Sequence, residues 1–167
     1  MRKTKKLAYM ALLTAAALTI FVLEAQIPVL VPIPGVKLGL ANIITLCALM
    51  TLGRRDALMI LTARLLLGAL LVGSAATLLY SAAGGLCAYA VMCALKNAFP
   101  ENRLWVMSAL AAVGHNFGQL AAAVWVLKGW GILIYAPVLL ASGIAAGAVT
   151  GLAATYVIKR LKNLTIR

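Results

Sequence analysis

Six apolar stretches, separated by cationic, glycine-rich or proline-containing breaks, take up nearly the whole of this 167-residue chain. Nothing else in the sequence constrains the fold as strongly. An apolar fraction of 65% with only 11% charged residues lies far outside the range of water-soluble domains, and a lipid-solvated chain tolerates it. In lipid, backbone polar groups must be satisfied within the protein, so each long apolar stretch reads as a membrane helix. The pattern predicts an all-α membrane protein with transmembrane helices over 7–24, 38–52, 57–72, 76–95, 104–127 and 132–158, forming one integral membrane domain over 1–167.

The breaks set the orientation. Basic residues outnumber acidic ones fifteen to three. In a soluble chain that excess would suggest nucleic acid; here the charges cluster between apolar stretches and read as topology signals, with membrane lipid and not nucleic acid as the partner. With the N-terminus inside, twelve of the fifteen cations fall on the cytoplasmic side, Lys37 and Lys128 fall outside, and Arg64 is left within the membrane. Both termini are therefore expected in the cytoplasm of a bacterial plasma-membrane protein. The first stretch, preceded by Arg2, Lys3, Lys5 and Lys6, is longer than a signal-peptide core and lacks a small-x-small cleavage site, so it reads as the first membrane helix. The 57–72 helix is the weakest part of this arrangement, since its 16 residues rise only about 24 Å and need local thinning or protein cover to span.

The stretch from Pro28 to Asn42, PVLVPIPGVKLGLAN, interrupts the pattern. Pro28, Pro32, Pro34 and Gly35 cannot continue the preceding helix. A non-helical segment there lies at the membrane surface or is buried against protein, which makes it a lip over whatever the helices enclose. Gly53–Asp56, GRRD, reads as a tight turn; Gly73 and Ser74 mark another, and Pro137 interrupts the last helix.

Candidate site residues are polar groups in places lipid would reject. His115, Asn116 and Gln119 lie in the fifth helix, His115 and Gln119 one turn apart on one face, with Gly114 and Gly118 offering a close-packing surface beside them. Three readings stand: the three side chains contact a ligand, they hydrogen-bond neighbouring helices, or they serve a metal or proton relay, for which one histidine with no nearby acid is a poor start. Arg64 approaches mid-bilayer, roughly 13 Å along its helix from Arg55, and must snorkel, pair, or meet an anionic ligand group. Glu24, Lys37, Asn42, Thr77, Tyr80 and Ser81 fall at a depth similar to Gln119 and could converge on one outward-facing pocket, with a solvated rim as the alternative for Glu24 and Lys37. Asn42, Arg64, Tyr80, Ser81, His115, Asn116 and Gln119 are thus the ligand-binding candidates. Gly143, Gly147 and Gly151, spaced by four, read as a packing seam, and Ala11, Ala15 and Thr19 form a small-residue stripe that another helix can approach.

Chemistry is poorly supplied. Glu24, Asp56 and Glu101 are the only carboxylates and are scattered, so paired-carboxylate catalysis and an aspartate-rich diphosphate–magnesium site are unavailable. No phosphate loop, nucleophile elbow or Cys–His pairing is present. Cys47, Cys87 and Cys93 lie in apolar stretches and read as small hydrophobes without a disulfide. No metal, cofactor or catalytic residue is expected, and enzymatic activity is not.

The segments PGVKLGLAN (34–42), ARLLLGALLVGS (63–74), AGG (83–85) and GHNFGQ (114–119), in this order, resemble the Gx transporter family, also labelled heptaprenyl diphosphate synthase component I. The resemblance implies a six-helix bundle like the substrate-binding S components of energy-coupling-factor transporters. It implies a small-molecule substrate, and partners in a transmembrane coupling subunit and ATPases, with Ala11 and Ala15 at the docking face. The synthase label implies instead a membrane accessory to a soluble prenyltransferase in isoprenoid-quinone synthesis.

Overall fold

In the computed structural model, which describes residues 3–27, 37–72 and 75–165, with the side chains of 72 and 162–165 excepted, six α-helices account for most of the chain. They are α1 (Lys3–Glu24), α2 (Asn42–Thr51), α3 (Arg54–Val72), α4 (Ala75–Leu95), α5 (Leu104–Leu127) and α6 (Ala136–Thr165). Short 3-10 turns at Glu101–Arg103 and Trp130–Tyr135 lead into α5 and α6. The described residues contain no strand. The prolines and Gly35 of the expected lip, together with Gly73 and Ser74, lie outside the described residues.

Four of the elements, Lys3–Glu24, Ala75–Leu95, Glu101–Leu127 and Trp130–Leu161, are long and apolar enough to cross a membrane, as expected for a membrane protein. Helices α2, α3 and α6 differ from the sequence reading. Helix α2 begins at Asn42 and has 10 residues, which rise about 15 Å, half of a bilayer core. Residues 37–39 are non-helical and 40–41 form a turn, because Gly39 takes a φ of +80° and breaks the helix at its start. Helix α3 is longer than expected: Arg54 and Arg55 belong to it, and Gly53, at a φ of +103°, separates it from α2. Pro137 does not interrupt the last helix but sits at its start, where a missing N–H costs nothing; the preceding residues are 3-10.

Helix α2 packs at the centre, against α1, α3, α4 and α6, and α5 lies between α4 and α6. Small residues make the α4–α5–α6 approach close. A Cβ on Gly118 would meet the Ala83 carbonyl, one on Gly114 would meet Val91, and one on Gly147 or Gly151 would meet the backbone of Ala109 or Trp105. The glycines at 143, 147 and 151 thus form the seam their spacing announces. One end of the bundle is tied by polar contacts: Lys6 pairs with Asp56 at 2.8 Å, Arg54 donates to the Cys93 carbonyl, and Lys96 donates to the Leu49 carbonyl.

The apolar core comes in two layers. The larger, around Leu46, Leu49, Ile60, Met92, Leu104, Met107 and Ile158, occupies the end with these ties. The smaller joins Tyr80, Leu120, Ala123 and Leu139. Along α5, His115, Asn116 and Gln119 fall between Ala111 of the first layer and Leu120 of the second, so a polar band separates the two.

Candidate functional site

The polar band is built from the ends of α1 and α2, the middle of α3 and the middle of α5. Its centre is His115, which is 3% exposed. Asn42 Nδ2 donates to His115 Nδ1 at 3.1 Å, and His115 Nε2 then carries the proton and donates to Gln119 Oε1, also at 3.1 Å. With its amide oriented as these neighbours require, Gln119 also accepts from the Lys37 main-chain N–H at 3.1 Å and donates to the Lys37 carbonyl at 2.9 Å. Gln119 therefore serves as a backbone partner for a stretch of chain that makes no helix of its own. Leaving such groups unpaired would cost about 1–3 kcal/mol each.

Two glycines make room for the imidazole. A Cβ on Gly39 would lie 2.8 Å from His115 Cδ2, and one on Gly84 of α4 would lie 2.7 Å from His115 Cε1. The ring is clasped between the non-helical segment and α4. Beside Asn42, a hollow of about 10 Å³ bounded by Leu38–Leu40, Ser108, Ala112 and Gly147 has room for a single water at most.

The second part of the site is charged. Glu24, the last residue of α1, is 5% exposed, and its carboxylate accepts the Gly39 main-chain N–H. Lys37 Nζ sits 3.5 Å from the centroid of the Phe21 ring, and the Arg64 guanidinium carbon lies 5.7 Å from the same centroid. Both are within the range of cation–π attraction. Phe21 reaches this place because Gly68 of α3 lets it in, a Cβ there falling 2.9 Å from the ring. Arg64 is 3% exposed, and both its Nη2 and Lys37 Nζ are buried without a hydrogen-bond partner among the described residues. The charges of Glu24, Lys37 and Arg64 act on one another.

The sequence candidates thus separate. Asn42, His115 and Gln119 form one hydrogen-bonded chain, and Arg64 stands apart from it beside Phe21. Asn116 points elsewhere: its Nδ2 donates to the Leu139 carbonyl of α6, in space that Gly143 leaves open, and its Oδ1 is buried with no partner among the described residues. Tyr80 is buried in the smaller apolar layer, and Ser81 is buried next to it in α4. Of the two residues that stand as either pocket or rim in the sequence, Glu24 is buried and Lys37 is half-buried. Phe21 had no sequence signal of its own beyond lying three residues before Glu24, on the same helix face as Leu13 and Ala17.

Ala11 and Ala15 are exposed on α1. Ala11 lines an apolar groove of about 500 Å³ between α1 and α3, together with Met10, Met59, Ile60 and Ala63, and the Lys6–Asp56 pair stands at one end of it.

Residues 13–157 match the profile of a family described as heptaprenyl diphosphate synthase component I. No curated protein and no solved structure matches the chain.

Proposed function

The chain belongs to the heptaprenyl diphosphate synthase component I family, and from that membership and its buried polar band we propose that it is a membrane-embedded substrate-binding subunit. It takes a small molecule from the outer side and works with a coupling subunit and ATPases that supply energy, since the sequence contains no phosphate loop of its own. The observation that carries this reading is the burial of Glu24, Asn42, Arg64, His115 and Gln119 inside an otherwise apolar bundle. Ionisable groups at such depth are costly unless they serve a ligand, a pathway or one another. In this reading one integral domain crosses the bacterial plasma membrane six times with both termini inside, and α2 completes its crossing together with residues 37–41. The ligand meets Arg64 and the band around Asn42, His115 and Gln119. The groove beside Ala11 receives the coupling subunit.

A second reading follows from the family's description: the chain is a membrane accessory to a soluble prenyltransferase. Purification from native membranes separates the two. Co-purifying coupling and ATPase subunits, with a bound small molecule seen by native mass spectrometry, support transport; a co-purifying soluble prenyltransferase and no small molecule overturn it in favour of the accessory role.

A further inference from the structure

The charged half of the site does not balance. Lys37 and Arg64 bring two cations to one phenylalanine ring, and Glu24 brings one carboxylate. That carboxylate is already engaged by the Gly39 main-chain N–H and does not come within ion-pair distance of either cation. Among the described residues, Lys37 Nζ and Arg64 Nη2, both buried, are left with donors and no acceptor. Donors of this strength are rarely left idle away from water, and the Phe21 ring accepts no conventional hydrogen bond. The backbone of α4 comes close to the guanidinium at Gly85, where an added Cβ would stand 3.4 Å from Arg64 Nη2.

We propose that Lys37 and Arg64 form an oxyanion-binding site, with Phe21 beneath it, that takes the carboxylate or phosphate group of an anionic small molecule. This rests on the substrate-binding reading above and narrows it to anionic ligands. Arg64 supplies a planar pair of donors matched to two oxygens of one group, and Lys37 supplies a point charge. Glu24 is a positioning residue: it holds Gly39, and through it the segment that carries Lys37, without touching the anion. The hydrogen-bonded chain of Asn42, His115 and Gln119 fixes the same segment from the other side. Neutral parts of the ligand would be read elsewhere.

The test uses the full chain purified in neutral detergent, with acetate and inorganic phosphate as probes at constant ionic strength against chloride. Melting temperature is followed for wild type, Lys37→Gln, Arg64→Gln and the exposed control Arg160→Gln. Wild type and the control are expected to be stabilised by at least one probe, while each site variant needs at least tenfold more of it for the same shift. Two site variants are used so that poor folding of one leaves the other informative. Repeating the titration in nanodiscs of phosphatidylcholine alone, and with phosphatidylglycerol added, separates the sources: loss of the probe's effect on adding the anionic lipid assigns the oxyanion to a lipid headgroup, and persistence assigns it to a free solute. An equal response in all four proteins overturns the inference. A co-purified neutral molecule that both site variants retain also overturns it while leaving the substrate-binding reading intact; no probe response and no co-purified molecule remove both.

Discussion

Glu24 accepts the main-chain N–H of Gly39, fifteen residues further along the chain, and so ties the end of α1 to the entry of α2. A carboxylate that stands in the sequence at the margin of an apolar helix is buried, and it serves a backbone that has no helical partner. Gln119 of α5 does the same for Lys37 from the opposite side. Non-helical chain is tolerated inside a membrane bundle only when protein groups satisfy it, and these two side chains meet that requirement.

Gln119→Leu is expected to destabilise the protein. It removes both bonds to the Lys37 main chain and the acceptor for His115 Nε2, at about 1–3 kcal/mol for each buried group left unpaired. Scanning fluorimetry in detergent should show a melting point lowered by several degrees, with faster hydrogen exchange confined to residues 37–40. An unchanged melting point would mean that Gln119 does not hold this segment.

Gly39→Ala should be far more damaging than Gly131→Ala. The first forces a side chain into a left-handed backbone, at about 1–2 kcal/mol, and drives its Cβ to 2.8 Å from the imidazole. The second adds a methyl where, apart from the adjoining chain, no atom of the described residues lies within 4 Å. Comparing the two melting points checks this, and equal values would contradict the placement of His115.

Topology is tested by labelling single cysteines introduced at two exposed positions, Lys128 and Arg160, after Cys47, Cys87 and Cys93 are replaced by alanine. A membrane-impermeant reagent should label position 128 in intact cells and position 160 only after permeabilisation. External labelling at 160 removes the arrangement with both termini inside.

Ala11→Leu fills the groove between α1 and α3 with a branched side chain, and Ala15→Leu roughens the same exposed stripe. Both should abolish co-purification of the coupling subunit while leaving retention of the bound small molecule within about threefold, because the stripe and the buried band lie on different faces of α1. Survival of the complex in both variants would place the docking surface elsewhere.

Much of the fold was legible in the sequence because helix formation in lipid is a local demand: each apolar stretch must pair its own backbone, and α1, α4, α5 and α6 follow directly from that rule. The seam at Gly143, Gly147 and Gly151 was equally readable, since one helix face is set by spacing alone. The polar residues of α5 could be named but not assigned. His115 and Asn116 are neighbours in sequence, yet the helix turns one toward Asn42 and Gln119 and the other toward Leu139 of α6.

The sequence by itself determined that the chain belongs in a membrane, where its long helices run, and which polar side chains lipid could not accept. Only the tertiary structure decided what those side chains meet. That Lys37 and Arg64 share the ring of Phe21, and that Gln119 pairs with the backbone of Lys37, depends on residues from separate elements arriving together. Periodicity reports which way a side chain faces within its own helix, whereas the partner across the gap is set by packing among helices. That packing rests on where glycines such as Gly39, Gly68 and Gly84 let neighbouring chains come close.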